Sequence, residues 1–196
     1  SVTLVDDEPR VGFVDFRSGN AGVGERAALG WTTLAWQGVS NVAINDGTRV
    51  AAHARYGSVL AYTLGNRQTL RVAFATEGLA SDRELVPSNG ELFRYDVAVG
   101  VAGAPFVVAG RLRELLLFRY SATLGWVEVG SIEADSTVAA VSLTVDSLGR
   151  PLFAYGVAGG GVFVATPGES ELRTVDVSEA VVDELSLASD DSGDVH

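Results

Sequence analysis

The stretch "SLTVDSLGRPLFAYG", residues 142 to 156, decides the fold that we predict for this chain. Polar and apolar residues alternate from Ser142 to Val145, a polar turn containing Asp146 and Gly149 follows, and Pro151 opens a second apolar run. Alternation with period two on both sides of a glycine-containing turn is typical of two antiparallel strands joined by a hairpin. The stretch therefore predicts a β-hairpin.

The same pattern recurs along the chain. The residues that open the second apolar run of each module are Val11, Val50, Pro105, Pro151 and Val195, with spacings of 39, 55, 46 and 44 residues. A glycine follows the third run and precedes a fourth, as in "ALGWTTLAW" (28 to 36) and "TLGWVEVG" (123 to 130). A repeat of roughly 40 to 50 residues that contains four short strands is typical of a β-propeller blade, because one such sheet cannot bury both of its faces alone.

We therefore predict an all-β propeller with four four-stranded blades at 1–40, 41–92, 93–136 and 137–181, followed at 182–196 by the first strand of a fifth. The longer spacing of the second module predicts an insertion, "EGLASDRELVPSNGEL" (77 to 92), in an exposed loop. Residues 1 to 16 already supply two strands of blade one, so the surplus strand has no sheet of its own. We expect the chain to be part of a larger propeller that a complementary chain or a symmetry mate completes, with His196 marking either a cleavage site or the limit of this piece of sequence.

One segment favours a different secondary structure. In "GRLRELLLFRYSATLG" (110 to 125), Leu112, Leu115, Leu116 and Arg119 suit one face of a helix, and the residue types are good helix formers. The other modules have strand patterns at the equivalent place, as in "GSVLAYTLG" (57 to 65). The repeat therefore predicts a strand here as well.

Composition excludes several classes of function. The chain of 196 residues has 14 Arg, no Lys and 25 carboxylates, and its net charge of −11 argues against nucleic acid or an anionic membrane as a partner. Without cysteine there is no disulfide, no thiolate metal site and no thiol nucleophile. The longest uncharged stretch near the middle, "VAVGVAGAPFVVAG", is shorter than the roughly 20 residues that a membrane-spanning helix needs, so we predict no membrane insertion.

The phrases "SLTVDSLGRPLFAYG" and "LSLASDDSGDVH" resemble the blades, of the type S-L-A-V-D-x-x-G-x-P-h-x-A-Y, of secreted bacterial β-propeller repeat proteins. Module two lacks the proline and module three lacks the aspartate of this pattern. The resemblance implies a propeller that is secreted, periplasmic or on the cell surface. Such propellers include lectins, adhesion modules and non-catalytic parts of larger enzymes, so the resemblance speaks for the fold more than for one function.

Catalytic and metal-binding patterns are weak. No G-x-S-x-G elbow is present, and Asp146 and Gly149 do not match the sialidase Asp-box turn, which also needs a following tryptophan. The acidic turn at 190–194 is similar to calcium loops but lacks their regular carboxylate spacing and a downstream bidentate acid, so we interpret it as a polar turn between strands. We predict no catalytic residue, no metal site and no cofactor.

Aromatic and basic residues give the candidate binding site. Trp31 and Trp126 occupy equivalent places and are predicted to pack within blades, whereas Trp36 has no counterpart and is the candidate ligand platform. His53, Arg55 and Tyr56 complete the candidate ligand-binding set. Neighbours on a strand point to opposite faces, so the pair Arg55–Tyr56 puts one member inward, and such pairs serve mainly the fold. We predict a non-catalytic module that binds or scaffolds, recognising a glycan or a protein. The alternative is a glycan-active hydrolase or lyase, or the propeller portion of a larger enzyme.

Overall fold

The computed structural model describes residues 1–5, 8–15, 20–27, 29–35, 48–53, 57–64, 69–76, 79–87, 93–100, 104–167, 173–176 and 182–189. The chain divides into an N-terminal unit, Ser1–Glu91, and a C-terminal unit, Leu92–His196. Each unit contains two four-stranded antiparallel sheets in which every strand pairs with its neighbours along the chain. Among the described residues there is no helix that could cross a membrane.

The N-terminal unit contains sheets one and two. The strands of sheet one are β1 (Val2–Val5), β2 (Glu8–Val14), β3 (Ala21–Ala27) and β4 (Gly30–Ala35). The strands of sheet two are β5 (Thr48–His53), β6 (Gly57–Thr63), β7 (Thr69–Thr76) and β8 (Leu79–Pro87). The apolar residues that alternate along these strands meet between the two sheets in a core that contains the fully buried side chains of Val23, Leu60 and Tyr62.

The C-terminal unit contains sheets three and four. The strands of sheet three are β9 (Phe93–Val99), β10 (Pro105–Arg111), β11 (Glu114–Ser121) and β12 (Gly125–Glu133). The strands of sheet four are β13 (Val138–Val145), β14 (Pro151–Val157), β15 (Val162–Ala165) and β16 (Arg173–Asp176). The core of this unit combines both sheets and includes Val108, Leu115, Leu143 and Tyr155.

The all-β architecture and the four sheets of four strands confirm the predicted fold class. The ambiguous segment contains the strand β11, Glu114–Ser121, preceded by a turn at Leu112 and Arg113, and no helix. The hairpin that decided the prediction forms with Val145 opposite Pro151. The boundaries proposed for the blades, including the start of a further blade at 182, stay predictions.

Two assignments in the second module were wrong. Residues 79–87, predicted as part of an exposed insertion, form the strand β8, which pairs along its length with β7. The run that contains Val50, predicted as a second strand, is the first strand of its sheet, β5. Both errors have one physical cause. The polar sequence of β8 has little apolar alternation, so it does not look like a strand, although it pairs with the edge of β7. Because β8 was not counted, each of the other three strands of sheet two was assigned one place too late.

Glycines on the second strands allow neighbouring sheets to approach closely within each unit. A Cβ atom on Gly12 of β2 would lie 3.0 Å from Thr48 Oγ1 and 3.1 Å from Val50 Cβ, both on β5. A Cβ atom on Gly110 of β10 would lie 2.8 Å from Val138 Cγ1 on β13. Since interiors are packed without spare volume, these two positions exclude any larger residue unless the facing strand moves.

Candidate ligand-binding surface

The predicted binding residues fall almost entirely outside the described part of the chain. Trp36, Arg55 and Tyr56 are not among the described residues, and neither is the acidic turn at 190–194. His53 is the last residue of β5, where its backbone pairs with Gly57, and nothing is described of its side chain. The proposed role of these four residues therefore stays a prediction.

The two tryptophans that sequence comparison placed in register differ in burial. Trp126 at the start of β12 is 6% exposed and packs edge-to-face on Tyr120, with ring centroids 5.5 Å apart, so its predicted packing role is confirmed. Trp31 on β4 is 56% exposed, and the prediction that it is buried in blade packing was wrong. Both follow a glycine with positive φ, Gly30 and Gly125, so the difference lies in what covers each ring.

Trp31 lies on one face of sheet one with a defined set of neighbours. It stands directly across from Arg26, and its six-membered ring covers the backbone of Gly24, where an added Cβ would lie 3.5 Å from Trp31 Cε3. Arg26 and Thr33, which belong to the same face by register, are exposed. This tryptophan surface, defined by Gly24, Arg26, Trp31 and Thr33, combines a flat apolar ring with hydrogen-bonding groups. No feature of the sequence distinguished Trp31 from Trp126.

The opposite face of sheet one carries a polar network toward sheet two. Arg10 Nη1 lies 3.0 Å from Glu25 Oε1 and donates a hydrogen bond of 2.8 Å to Ser58 Oγ on β6. Ser58 Oγ in turn donates to Glu25 Oε1 over 3.4 Å. Register places Glu8 and Glu25, the two carboxylates of β1 to β4, on this face. The strand carboxylates of sheet one are thus separated from the tryptophan surface by the sheet itself.

Asp146, the aspartate of the hairpin that decided the fold, has a structural role. Its Oδ1 accepts hydrogen bonds from the backbone N–H groups of Arg150 and Leu148, at 2.8 and 3.0 Å, and its Oδ2 accepts one from Arg150 Nε at 2.7 Å. The Arg150 N–H is the main cause that holds the pKa of this carboxyl below its usual range, and the guanidinium adds to it. Gly149 supplies the positive φ that closes the turn. The carboxylate is fully engaged in holding the hairpin.

Metal ligands do not gather in the part of the chain that the structure describes. No three residues among its His, Asp and Glu lie close enough together to hold an ion.

The comparisons with known proteins concern the fold alone. No family model matches the sequence, and no curated protein does. Among solved structures, a variant of the Aleuria aurantia lectin in complex with Fucα1-6GlcNAc is similar, with a TM-score of 0.59 and 10% identity, over 93% of this chain and 65% of the lectin. Another structure of that lectin, described as a six-bladed β-propeller with a novel fucose recognition mode, has a TM-score of 0.53 at 11% identity, over 89% of this chain and 61% of the lectin.

A second kind of protein is also similar in structure. An exo-β-1,3-galactanase from Phanerochaete chrysosporium, solved with β-1,3-galactotriose, has a TM-score of 0.56 and 13% identity, over 90% of this chain and 49% of the enzyme. The chain thus spans between about half and two thirds of the length of the structures it matches. Together with its four sheets of sequentially paired strands, these likenesses define a chain with the β-propeller fold.

Proposed function

We propose that this chain is a glycan-binding β-propeller module and that the tryptophan surface is its binding site. The observation that carries the proposal is the exposure of Trp31, of which 56% is accessible, whereas Trp126 at the equivalent place in sheet three is buried. Tryptophan is enriched at binding surfaces, because its ring offers a large apolar face and its indole N–H a hydrogen-bond donor. The C–H face of a sugar ring can stack on an indole while the sugar hydroxyls accept or donate hydrogen bonds at its rim.

The neighbours of Trp31 suit a neutral or acidic sugar. Arg26 and Thr33 are exposed on the same face, so a guanidinium and a hydroxyl flank the ring. An arginine presents five N–H donors in a planar arrangement that matches paired sugar hydroxyls or a carboxylate. The glycan ligands in the similar structures, a fucosyl disaccharide in the lectin and galactotriose in the galactanase, support a carbohydrate as the class of ligand.

Binding is favoured over hydrolysis at this surface. Glycoside hydrolysis needs two carboxyl groups on either side of the scissile bond. The strand carboxylates of sheet one, Glu8 and Glu25, belong to the other face, where Glu25 is engaged with Arg10 and Ser58. A module that binds and does not cleave is therefore the better proposal. Export from a bacterial cell remains a prediction that the resemblance of the blades implies.

A glycan array that includes fucosylated and β-1,3-galactosyl glycans, together with a panel of chromogenic glycosides, tests the proposal. We expect binding without turnover, and a loss of at least about tenfold in affinity for Trp31→Ala, since an aromatic contact of this kind contributes on the order of 1 kcal/mol beyond its buried area. Trp31→Phe should retain most of the binding. Leu124→Ala, which removes an exposed apolar side chain from another hairpin, should have no effect.

Two results would contradict the proposal. Turnover of a glycoside by the purified chain, lost when one carboxylate is replaced, would show that the chain is an enzyme. Glycan binding that is equally strong in Trp31→Ala would move the binding site elsewhere. The solution mass of both variants should be measured in parallel, since a change of mass in Trp31→Ala would show that the ring contacts another protein.

A further inference from the structure

Residues 182–189 pack on sheet four in the way that β13 packs on sheet three. A Cβ atom on Gly156 of β14 would lie 2.8 Å from Val182 Cβ, just as one on Gly110 of β10 would lie 2.8 Å from Val138 Cγ1. In both cases a glycine on the second strand of a sheet makes room for a valine at the start of the next segment. The same close approach occurs between Gly12 and β5 in the other unit. The contact between one sheet and the next is therefore repeated.

A polar contact repeats in the same place. The carboxylate of Asp96 on β9 accepts the backbone N–H of Leu143 at 2.9 Å. The hydroxyl of Ser142 on β13 accepts the backbone N–H of Leu187, also at 2.9 Å, and itself donates to Asp96 Oδ2 over 3.3 Å. Leu143 and Leu187 are each preceded by a serine and stand 44 residues apart, within the spacing of the sequence repeat. We call β9 and β13, the first strands of their sheets, the inner strands. A side chain on an inner strand, Asp96 or Ser142, thus binds the backbone of the segment that begins after its sheet.

Two further bonds hold residues 182–189 beside β13. Ser189 Oγ donates to the backbone carbonyl of Val145 at 3.0 Å and lies 3.1 Å from Thr144 Oγ1. Burial alternates along the segment. Leu185, Leu187 and Ser189 are half-buried, whereas Ser186 and Ala188 are exposed. This period of two is that of a strand with one covered face and one open face.

We infer that residues 182–189 are the inner strand of a fifth blade and that their open face binds the inner strand of a further blade of the same repeat type. Asp96, Ser142 and Ser186 are at equivalent positions of β9, β13 and residues 182–189. The first two accept a backbone N–H from the next inner strand. Ser186 is exposed and occupies the third position, so its hydroxyl is the acceptor for the strand that docks next.

The contacts between the existing inner strands indicate what kind of strand binds the open face of residues 182–189. The inner strands β13 and 182–189 both carry the sequence Ser-Leu at the point of contact, with the leucine N–H as donor. A strand with an apolar residue at this position and alternating small or apolar neighbours fits the open face. Such a strand is the inner strand of another propeller blade, in the same polypeptide or in a second one. This inference does not depend on the glycan proposal.

The inference is tested with a synthetic peptide that has the sequence of residues 137–147, "TVAAVSLTVDS", added to the intact chain. Hydrogen exchange measured by mass spectrometry should show slower exchange at residues 183–188 when the peptide is present. Ser186→Ala should weaken peptide binding by about fivefold, the usual effect of one lost hydrogen bond. Ser186→Asp should restore binding, because Asp96 has the same role. Ser131→Ala, at an exposed serine on β12, is the matched control and should have no effect.

Three results would overturn the inference. The first is unchanged exchange at residues 183–188 with millimolar peptide. The second is equal peptide affinity in the chain and in Ser186→Ala. The third is faster exchange at β13 on adding the peptide, which would show that the peptide displaces the existing inner strand instead of adding a new one.

Discussion

The contact between sheets one and two and the contact between sheets three and four have the same packing and different polar chemistry. Each uses a glycine on the second strand, Gly12 or Gly110, to let the first strand of the next sheet approach. In the N-terminal unit the polar link is the ion pair of Arg10 with Glu25 and their bonds to Ser58. In the C-terminal unit it is a carboxylate that binds a backbone N–H directly, Asp96 with Leu143.

The difference shows which part of the contact is fixed by the backbone and which is free to vary. A glycine is needed at these two points, because a Cβ atom there would overlap the facing residue. The polar link has to satisfy buried donors and acceptors, and several combinations of side chains can do so. Arg10 and Glu25 keep 23% and 28% of their side chains exposed, so water screens their attraction. The N–H of Leu143, a residue 4% exposed, has far less access to water.

The largest effect is expected at the glycine of the C-terminal unit. Gly110→Val places methyl groups inside the position of Val138 Cγ1, and overpacking of this kind should lower the free energy of unfolding by about 3 kcal/mol. Urea denaturation, followed by hydrogen exchange at β10 and β13, measures the loss. Gly130→Ala, whose added Cβ would lie an ordinary 3.8 Å from Pro167 Cβ, is the control. A stable Gly110→Val variant would show that the sheets can separate without cost.

Removal of Asp96 is expected to have the next largest effect. Asp96→Ala leaves the N–H groups of Leu143 and Val97 without their carboxylate acceptor and should cost about 2 kcal/mol in the C-terminal unit. Asp96→Asn keeps one oxygen and should cost less. Asp135→Ala, at an exposed aspartate of the same unit, is the control for loss of charge. If Asp96→Ala lowers the free energy of unfolding no more than this control, the bond of Asp96 to Leu143 does not stabilise the unit, and it would not differ from the exposed ion pair of the N-terminal unit.

A substitution in the turn that joins β10 to β11 is expected to raise stability. Leu112 has a φ of 47°, in the left-handed region, and is 54% exposed. Leu112→Gly removes the strain on the turn while losing little packing and should raise the free energy of unfolding by about 1 kcal/mol. Thermal denaturation measures the change. Leu148→Gly, at an exposed leucine of another turn with ordinary φ, should not stabilise, and a gain in both variants would remove strain as the explanation.

A smaller effect is expected at the ion pair of the N-terminal unit. Glu25→Gln removes the charge that faces Arg10 but keeps an oxygen for Ser58, so the free energy of unfolding should fall by less than about 1 kcal/mol. The effect should shrink further at high salt, since partly exposed charges are screened. Glu8→Gln, at an exposed carboxylate of β2, is the matched control. A loss as large as that of Asp96→Ala would reverse the ranking of the two polar links.

The smallest effect should be visible only as a dependence on pH. The Arg150 N–H holds the pKa of Asp146 below its usual range, so the folded chain keeps this carboxylate charged at a pH where the unfolded chain protonates it. Its contribution to stability is present above the ordinary carboxyl pKa of about 4 and is lost as the pH falls through the lower folded value. Asp146→Asn should flatten the acid limb of the stability curve. An acid limb that is the same in both proteins would assign the pH dependence to other groups.

The sequence predicted the strands wherever alternation and turn residues agreed. In "SLTVDSLGRPLF" the period of two, the aspartate and the glycine all favour one hairpin, and Val145 pairs with Pro151 as expected. The repeat carried the prediction through 112–120, where helix-forming residues favoured another structure. In the second module the strands were assigned to the wrong places because β8 has a polar sequence with little apolar alternation. For the binding site, the residues predicted from sequence lie outside the described part of the chain or, for His53, have no described side chain.

Three features were decided by the tertiary structure. The turn at Leu112 and Arg113 has no turn-forming residue, and it is held by the backbone N–H groups of Val138 and Ala134, which donate to the carbonyls of those two residues. Trp31 and Trp126 follow the same local sequence, Leu-Gly, yet one ring is covered by Tyr120 and the other lies open over Gly24. Residues 182–189 are held beside sheet four by contacts with Gly156, Ser142, Thr144 and Val145. Alternation and turns are local properties that a sequence carries in neighbouring residues. The turn at Leu112 and the place of residues 182–189 depend instead on contacts between segments 21 to 45 residues apart, which no local pattern encodes. The two tryptophans differ in the residue across the hairpin that each ring contacts, Tyr120 or Gly24.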